Sequence, residues 1–190
     1  MRFFLCLSFL TALIAMPALA ADPWDIDLAE SRLAFEATQQ GGQFEGEFEQ
    51  FSAEMRFSAE QLEDSHFDVR IDVTSIQTGS SQRDRELPKQ AWFAMDEFTE
   101  ARFETTEIRQ ATENADYPYA AEGTLTIKGH SEPVVLPFAW KSTDTGQAHM
   151  QGELVIDRTT FGIGEGDWED PSAVGHEVRV IVDVQLSAAG

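Results

Sequence analysis

Seven stretches of this chain alternate apolar and polar residues with a period of two, and that pattern leaves few architectures open. Leu33, Phe35 and Ala37 alternate with Arg32, Ala34 and Glu36, and Phe51, Ala53, Met55 and Phe57 with Ser52, Glu54 and Arg56. Phe67, Val69, Ile71 and Val73 follow the same rule, as do Leu125 and Ile127, then Val134, Leu136, Phe138 and Trp140. Met150, Gly152, Leu154 and Ile156 form the next set, and Val178, Val180, Val182 and Val184 the last. Successive side chains of a strand point to opposite faces, so each run reads as a strand with one buried face. Such strands joined by turn-rich pieces predict an antiparallel sandwich or barrel.

The joints carry their own signals. Gly41-Gly42 marks a turn or bulge, and Gly46 falls inside a strand-like stretch. Ser58-Ala59-Glu60-Gln61 reads as a capping box opening one helical turn. Lys128-Gly129-His130-Ser131 is a tight hairpin and Thr143 to Gln147 a second turn. Gly162, Gly164 and Gly166 make an irregular stretch before Trp168. Ser80 to Phe103 breaks the rhythm and predicts a long connection with about one or two helical turns. Pro88 forbids a long helix through it unless it sits in the first turn.

The amino terminus is of another kind. Met1-Arg2 is a short positive start, Phe3 to Met16 is uncharged, and Ala18-Leu19-Ala20 supplies small residues. This predicts a secretory signal peptide over residues 1–20, cut between Ala20 and Ala21, and one domain over 21–190. The apolar run is shorter than the roughly 20 residues a spanning helix needs. The single cysteine, Cys6, lies in that leader. The mature chain is therefore expected to hold no disulfide, cysteine–zinc site or cysteine nucleophile, and must be held by its core. With 13 Lys+Arg against 34 Asp+Glu, the formal net charge is −21. A field of that sign argues against nucleic acid and anionic lipid surfaces as partners.

Chemistry-bearing motifs are scarce. There is no Gly-rich phosphate loop, no G-x-S-x-G elbow, and His176-Glu177 lacks a second histidine at the spacing of a zinc-protease helix. His66, His130, His149 and His176 are scattered, and Glu165, Asp167, Glu169 and Asp170 lack the ordered spacing of a calcium loop. Neither a metal site nor a catalytic site is expected. Aromatics are abundant instead, and Phe35, Phe51, Phe57, Phe67, Phe138 and Trp140 fall on predicted inward faces. In a barrel of about eight strands they either fill the interior or line a space for one ligand.

Longer stretches carry a resemblance. Ser31-Arg32-Leu33-Ala34-Phe35 and Gly42-Gln43-Phe44-Glu45-Gly46-Glu47-Phe48 open it. Val69 to Gly79 continues into Arg83-Asp84, Leu87, Trp92-Phe93 and Ala101-Arg102-Phe103. Gly123 to Gly129 follows, with Pro133-Val134, then Arg158-Thr159-Thr160-Phe161-Gly162-Ile163-Gly164 and Gly175. In order and spacing these resemble the YceI-like family of secreted bacterial lipid-binding proteins over essentially the whole mature region. The chain departs from many members at Thr38-Gln39-Gln40, where they carry a histidine, and at Thr99, where they carry a proline.

The resemblance implies an all-β fold with short helices: an antiparallel, eight-stranded, lipocalin-like barrel enclosing an apolar tunnel. It implies a periplasmic, non-catalytic carrier of an amphiphilic isoprenoid-type lipid, a polyprenyl chain or an isoprenoid quinone, with no covalent cofactor. The tunnel candidates are Phe35, Phe44, Phe51, Phe57, Trp92, Phe93, Phe103, Phe138, Trp140, Phe161 and Trp168. Arg83, Arg85 and Arg158 are candidate head-group partners, because arginine matches phosphate geometry; a structural ion pair is the competing role for each. The Gly164-Glu165-Gly166-Asp167-Trp168 ending is similar to a subgroup found beside membrane b-type cytochromes, which makes a quinone-linked accessory module the alternative. A hydrolase of an envelope lipid or glycan is a weaker one. A long exposed strand edge would offer a surface for a homodimer.

Overall fold

The computed structural model describes residues 21–111 and 116–189, so the leader expected over residues 1–20 lies outside the described residues. Ten strands appear: β1 (Pro23–Gln39), β2 (Gly42–Phe48), β3 (Phe51–Arg56), β4 (His66–Asp72), β5 (Ile76–Gln77), β6 (Glu100–Gln110), β7 (Tyr119–Ile127), β8 (His130–Ser142), β9 (Gln147–Asp157) and β10 (Glu177–Ala188). One short helix, α1 (Ser81–Glu86), precedes β6. Antiparallel pairing runs β10–β9–β8–β7–β6–β4–β3–β1, and β1 pairs with β10 to close the ring. This is the expected eight-stranded barrel with two added strands. β2 and β3 lie end to end along β1, with Leu33 opposite Phe48 and Trp24 opposite Met55. β5 continues β4 in the same way past a turn at Val73–Ser75, with Ile76 opposite Phe48. The β1–β10 pairing closes the ring, so among the described residues the barrel's strand edges lie where a ladder is interrupted, between β8 and β9 and between β1 and β3.

β1 shows how sequence sets the wall. Trp24 and Ile26 face inward at even positions, and Leu33, Phe35 and Ala37 at odd ones. The switch is made by a bulge between Asp27 and Arg32 in the pairing with β10. Gly46 sits opposite Phe35 because a Cβ there would overlap the Phe35 ring and lie 2.8 Å from the Gln77 carbonyl oxygen.

Two expected joints are placed differently. Ser58 does not cap a helix: its N–H donates to Ser65 Oγ (3.1 Å), and the helical turn is a 3-10 piece at Leu62–Asp64. The long connection ends at Thr99 rather than Phe103, since Ala101 and Phe103 pair with Ile71 and Val69. As Pro88 requires, α1 stops two residues before it. The β7–β8 turn is Lys128-Gly129, both in the left-handed region (φ 51° and 78°), the two-residue geometry that follows strand twist.

The barrel has a packed end and a covered end. At the packed end Phe57 stands 4.6 Å from Trp140, 5.1 Å from Tyr119 and 5.6 Å from Phe138, ring centre to ring centre. Trp24 adds an edge contact on Trp140 at 5.2 Å, and Phe67 packs on Phe138 at 5.6 Å. Offset and edge-on geometry favours such pairs beyond their area. At the other end the segments 78–98 and 158–176 close over the strands. They are joined by Gly164 N–H and Glu165 N–H, both donating to the Ala91 carbonyl (2.7 and 2.9 Å), and by Trp92 against Trp168 at 5.6 Å.

The wall is not hydrogen-bonded all round. β8 and β9 pair only from Ser142–Ala148 to Phe138–Gly152, after which β8 keeps only β7 and β9 only β10. β1 and β3 pair only through Pro23 and Trp24.

Candidate ligand cavity

Between the packed end and the covered end lies a cavity of about 230 Å³. It exists where inward side chains are short. Val178, Val180, Val182 and Val184 line it from β10, Leu154 and Ile156 from β9, and Val69 and Ile71 from β4. β-branched side chains suit a pleated surface but do not reach the barrel axis as aromatics do.

The predicted aromatics divide between wall and packing. Phe35, Phe44, Phe51, Trp92, Phe93, Phe103 and Trp168 line the cavity. Phe57, Phe138 and Trp140 do not: they form the aromatic end, where Phe138 is fully buried. Phe161 is buried in a 3-10 turn at Arg158–Phe161, outside the lining. Phe48 lines the cavity, against Phe35 at 5.7 Å and Phe93 at 6.4 Å, and was missed with the aliphatic residues. The signal for that wall was the valine-rich last strand, read only as a strand.

Five of the polar lining residues gather at one rim, Gln39, Thr78, Gln82, Arg83 and Glu86; the sixth, Arg158, stands apart. Asp84 fixes this corner by accepting from Thr78 N–H (3.1 Å) and Thr78 Oγ1 (2.6 Å). Arg83 lies over the Phe44 ring at 4.1 Å and donates to Thr78 O (2.9 Å), Thr78 Oγ1 (3.2 Å) and Gln39 Oε1 (3.3 Å). Those three bonds leave two of its five N–H groups for a guest. Arg83 and Glu86 carry opposite charges. The competing ion-pair role is not what Arg83 does here, since its acceptors are neutral.

The other two arginines stand apart. Arg85 is exposed on α1 and lies outside the lining. Arg158 is 3% exposed and lines the cavity, but all five of its N–H groups are taken by carbonyls. Nε donates to Gly175 O (2.9 Å), Nη1 to Ile163 O (2.5 Å) and Gly164 O (3.0 Å), and Nη2 to Trp168 O (2.6 Å) and Val174 O (2.8 Å). A head group would find no free donor there. Burial pushes the Arg158 pKa down, while Asp157 and Glu169 pull it back. Gly164 has φ 76°, and a Cβ there would overlap the guanidinium.

Lys128 is the second buried cation. Its Nζ donates to Gln90 O (2.8 Å), Gly162 O (2.7 Å) and Glu165 Oε2 (2.8 Å), which ties the two covering segments together. Lys128 holds the Glu165 carboxyl below its ordinary pKa. The Gly164–Trp168 ending is thus engaged in closing the barrel. Trp92 Nε1 is buried without an acceptor. Among the described residues no cluster of three or more His, Cys, Asp or Glu could hold a metal, and no helix is long and apolar enough to cross a membrane.

Comparison with known proteins agrees with the fold. Residues 24–186 match the family model of the YceI-like domain. A UPF0312 protein of Pseudomonas fluorescens is 27% identical over 128 residues, 62% of this chain and 63% of its own length. UPF0312 protein plu2095 of Photorhabdus laumondii is 29% identical over 91 residues, 48% of this chain and 45% of its own length, so the chain matches only about half to two thirds of such relatives. Among solved structures, BcnA of Burkholderia cenocepacia superimposes with a TM-score of 0.78 at 28% identity, covering 85% of this chain and 99% of that one. A polyisoprenoid binding domain of Saccharophagus degradans superimposes at 0.69 with 13% identity, covering 88% and 99%.

Proposed function

Because the chain belongs to the YceI-like family, matched over residues 24–186, we propose that it is a carrier for an amphiphile with a long isoprenoid-type tail and a small uncharged head. The observation that carries this reading is the cavity: an apolar barrel interior whose free polar groups gather at the rim beside Arg83, the other lining cation, Arg158, being saturated by main-chain carbonyls. Each buried CH₂ contributes about 0.8 kcal/mol, so a prenyl tail offsets an association cost of about 4–15 kcal/mol with few polar contacts. The Saccharophagus domain with the same fold is described as polyisoprenoid binding, which supports the ligand class. The rim argues for the head. Arg83 offers two N–H donors beside the opposite charge of Glu86, in a chain of net charge −21. A carbonyl, quinone or hydroxyl head suits that corner better than a pyrophosphate, which would face one partly engaged cation in an acidic field. The reading includes export of residues 21–190 to the periplasm by a leader cleaved after Ala20, and no covalent chemistry. A membrane b-type cytochrome is the partner to test if the guest is a quinone.

The test is native mass spectrometry of the mature protein from its own periplasm, followed by extraction and identification of the bound lipid. A stoichiometric prenyl lipid or quinone is expected. A bare protein that also takes up no added prenyl alcohol or quinone overturns the proposal.

A further inference from the structure

The place where β8 and β9 separate has a cause in the sequence. In the two-residue Lys128-Gly129 turn, Ile127 and His130 form the first hydrogen-bonded pair. Even-numbered residues at the start of β8 therefore exchange bonds with β7, and odd-numbered residues present their backbone to β9. Two of those odd residues are Pro133 and Pro137, which have no N–H to give. The pairing stops where Pro137 would have met Glu153. Continuing that register sets Val135 opposite Val155 across the unpaired stretch.

We infer that this stretch is the doorway through which the apolar chain of the ligand enters and leaves the cavity. The inference rests on the carrier reading above. Leu136, Leu154 and Ile156 line the cavity on its inner side, so the gap leads to the space it would serve. A side chain helps close it: Leu136 Cδ1 lies 3.1 Å from the position a Gly152 Cβ would take. Opening requires side chains to turn, whereas elsewhere along the paired wall it requires a ladder to break. The middle of the outer rim is apolar: among the described residues the exposed large hydrophobics are Leu28, Val135 (44%) and Val155 (58%), and two of these three face each other across the gap, while the carboxylates of Glu153, paired with Arg179, and Asp157 stand at its two ends. The unpaired stretch between β1 and β3 has exposed Leu28 beside it but also three exposed carboxylates, Asp25, Asp27 and Glu54, and among the described residues no pair of exposed large hydrophobics faces each other across it. The polar rim beside Arg83 is left to the head group.

The test restores the missing donors. In the Pro133→Val/Pro137→Val variant, transfer of decylbenzoquinone between protein and phosphatidylcholine vesicles is followed by quenching of tryptophan fluorescence. Uptake and release are both expected to slow at least tenfold with Kd within twofold of wild type, and the Val155 amide to gain protection from hydrogen exchange. A protected Val155 amide with wild-type transfer rates overturns the doorway and leaves the carrier reading standing. Wild-type protein that takes up neither decylbenzoquinone nor a prenyl alcohol overturns the carrier reading, and the doorway with it. If the double variant does not fold, Val135→Cys/Val155→Cys in the mature chain, which has no other cysteine, gives the same comparison between oxidised and reduced states of one protein. Transfer slowed tenfold by oxidation and restored by reductant supports the doorway; a disulfide that forms without changing the rate overturns it.

Discussion

Replacing Arg158 by methionine tests how the covered end is held. The side chain is 3% exposed and its five N–H groups meet the carbonyls of Ile163, Gly164, Trp168, Val174 and Gly175 at 2.5–3.0 Å. A hydrogen bond to a charged group contributes about 1.5–3 kcal/mol net, which would total about 7–15 kcal/mol for five. Against this stands the effective cost of burying a guanidinium, several kcal/mol, which methionine does not incur. The expected loss is therefore about 3–6 kcal/mol, a large share of the 5–15 kcal/mol typical of a domain. With a urea slope of about 2 kcal/mol/M, the midpoint should fall by about 1.5–3 M. Urea titration followed by tryptophan fluorescence reads it. Arg158→Lys, a point charge with three donors, should fall between the two. A midpoint within about 0.5 M of wild type for Arg158→Met would show that the carbonyls find water or other donors and that Arg158 does not hold the loop.

Other outcomes follow from the same geometry. Phe138→Ala should cost about 3–5 kcal/mol of stability, since the ring is fully buried among Phe57, Phe67 and Tyr119; calorimetry showing no loss would contradict the packed end. Gly123→Ala should cost about 1–3 kcal/mol by overpacking, because the new Cβ would lie 2.9 Å from Thr105 Cα; an unchanged melting temperature would refute this. Arg83→Leu should weaken binding of decylbenzoquinone about tenfold and leave a plain hydrocarbon probe unaffected; equal losses for both would remove Arg83 from head-group recognition. Asp68, Asp157 and Glu165 are held below their ordinary pKa by hydrogen bonds from Arg102, Thr159 and Lys128. A depressed carboxyl contributes its stability fully above its unfolded pKa and loses it as pH falls through the folded one. The urea midpoint should thus be flat from neutral pH down to the ordinary carboxylate range and fall below it; a midpoint that rises on acidification refutes the assignment.

Much of the wall was legible because a strand with one wet face writes its period into the sequence. The first half of β1 was not, since the bulge after Asp27 moves the inward positions from even to odd and dissolves the alternation. Arg83 at the polar corner was named because it falls in a stretch that carries the family resemblance and arginine suits a polar head group, whereas its neighbours Gln39, Thr78, Gln82 and Glu86 carry no such signal. The division of aromatics between wall and packed end was hidden: Phe35 and Phe138 show the same inward pattern, and only the side chains across the barrel decide whether a ring faces space or another ring. Arg158 read as a head-group partner because sequence cannot display carbonyls, the only acceptors that it uses.

That choice of acceptors has a bearing on how such a barrel can change. Arg158 grips main chain alone, so it fixes the path of the loop without itself choosing the loop's side chains, except at Gly164, where the guanidinium leaves no room for a Cβ. Residues 169–173, beyond the Lys128–Glu165 ion pair and the Trp92–Trp168 contact, can be exchanged, by drift or by design, to re-tune what the covered end presents to a partner, while the anchor underneath stays the same.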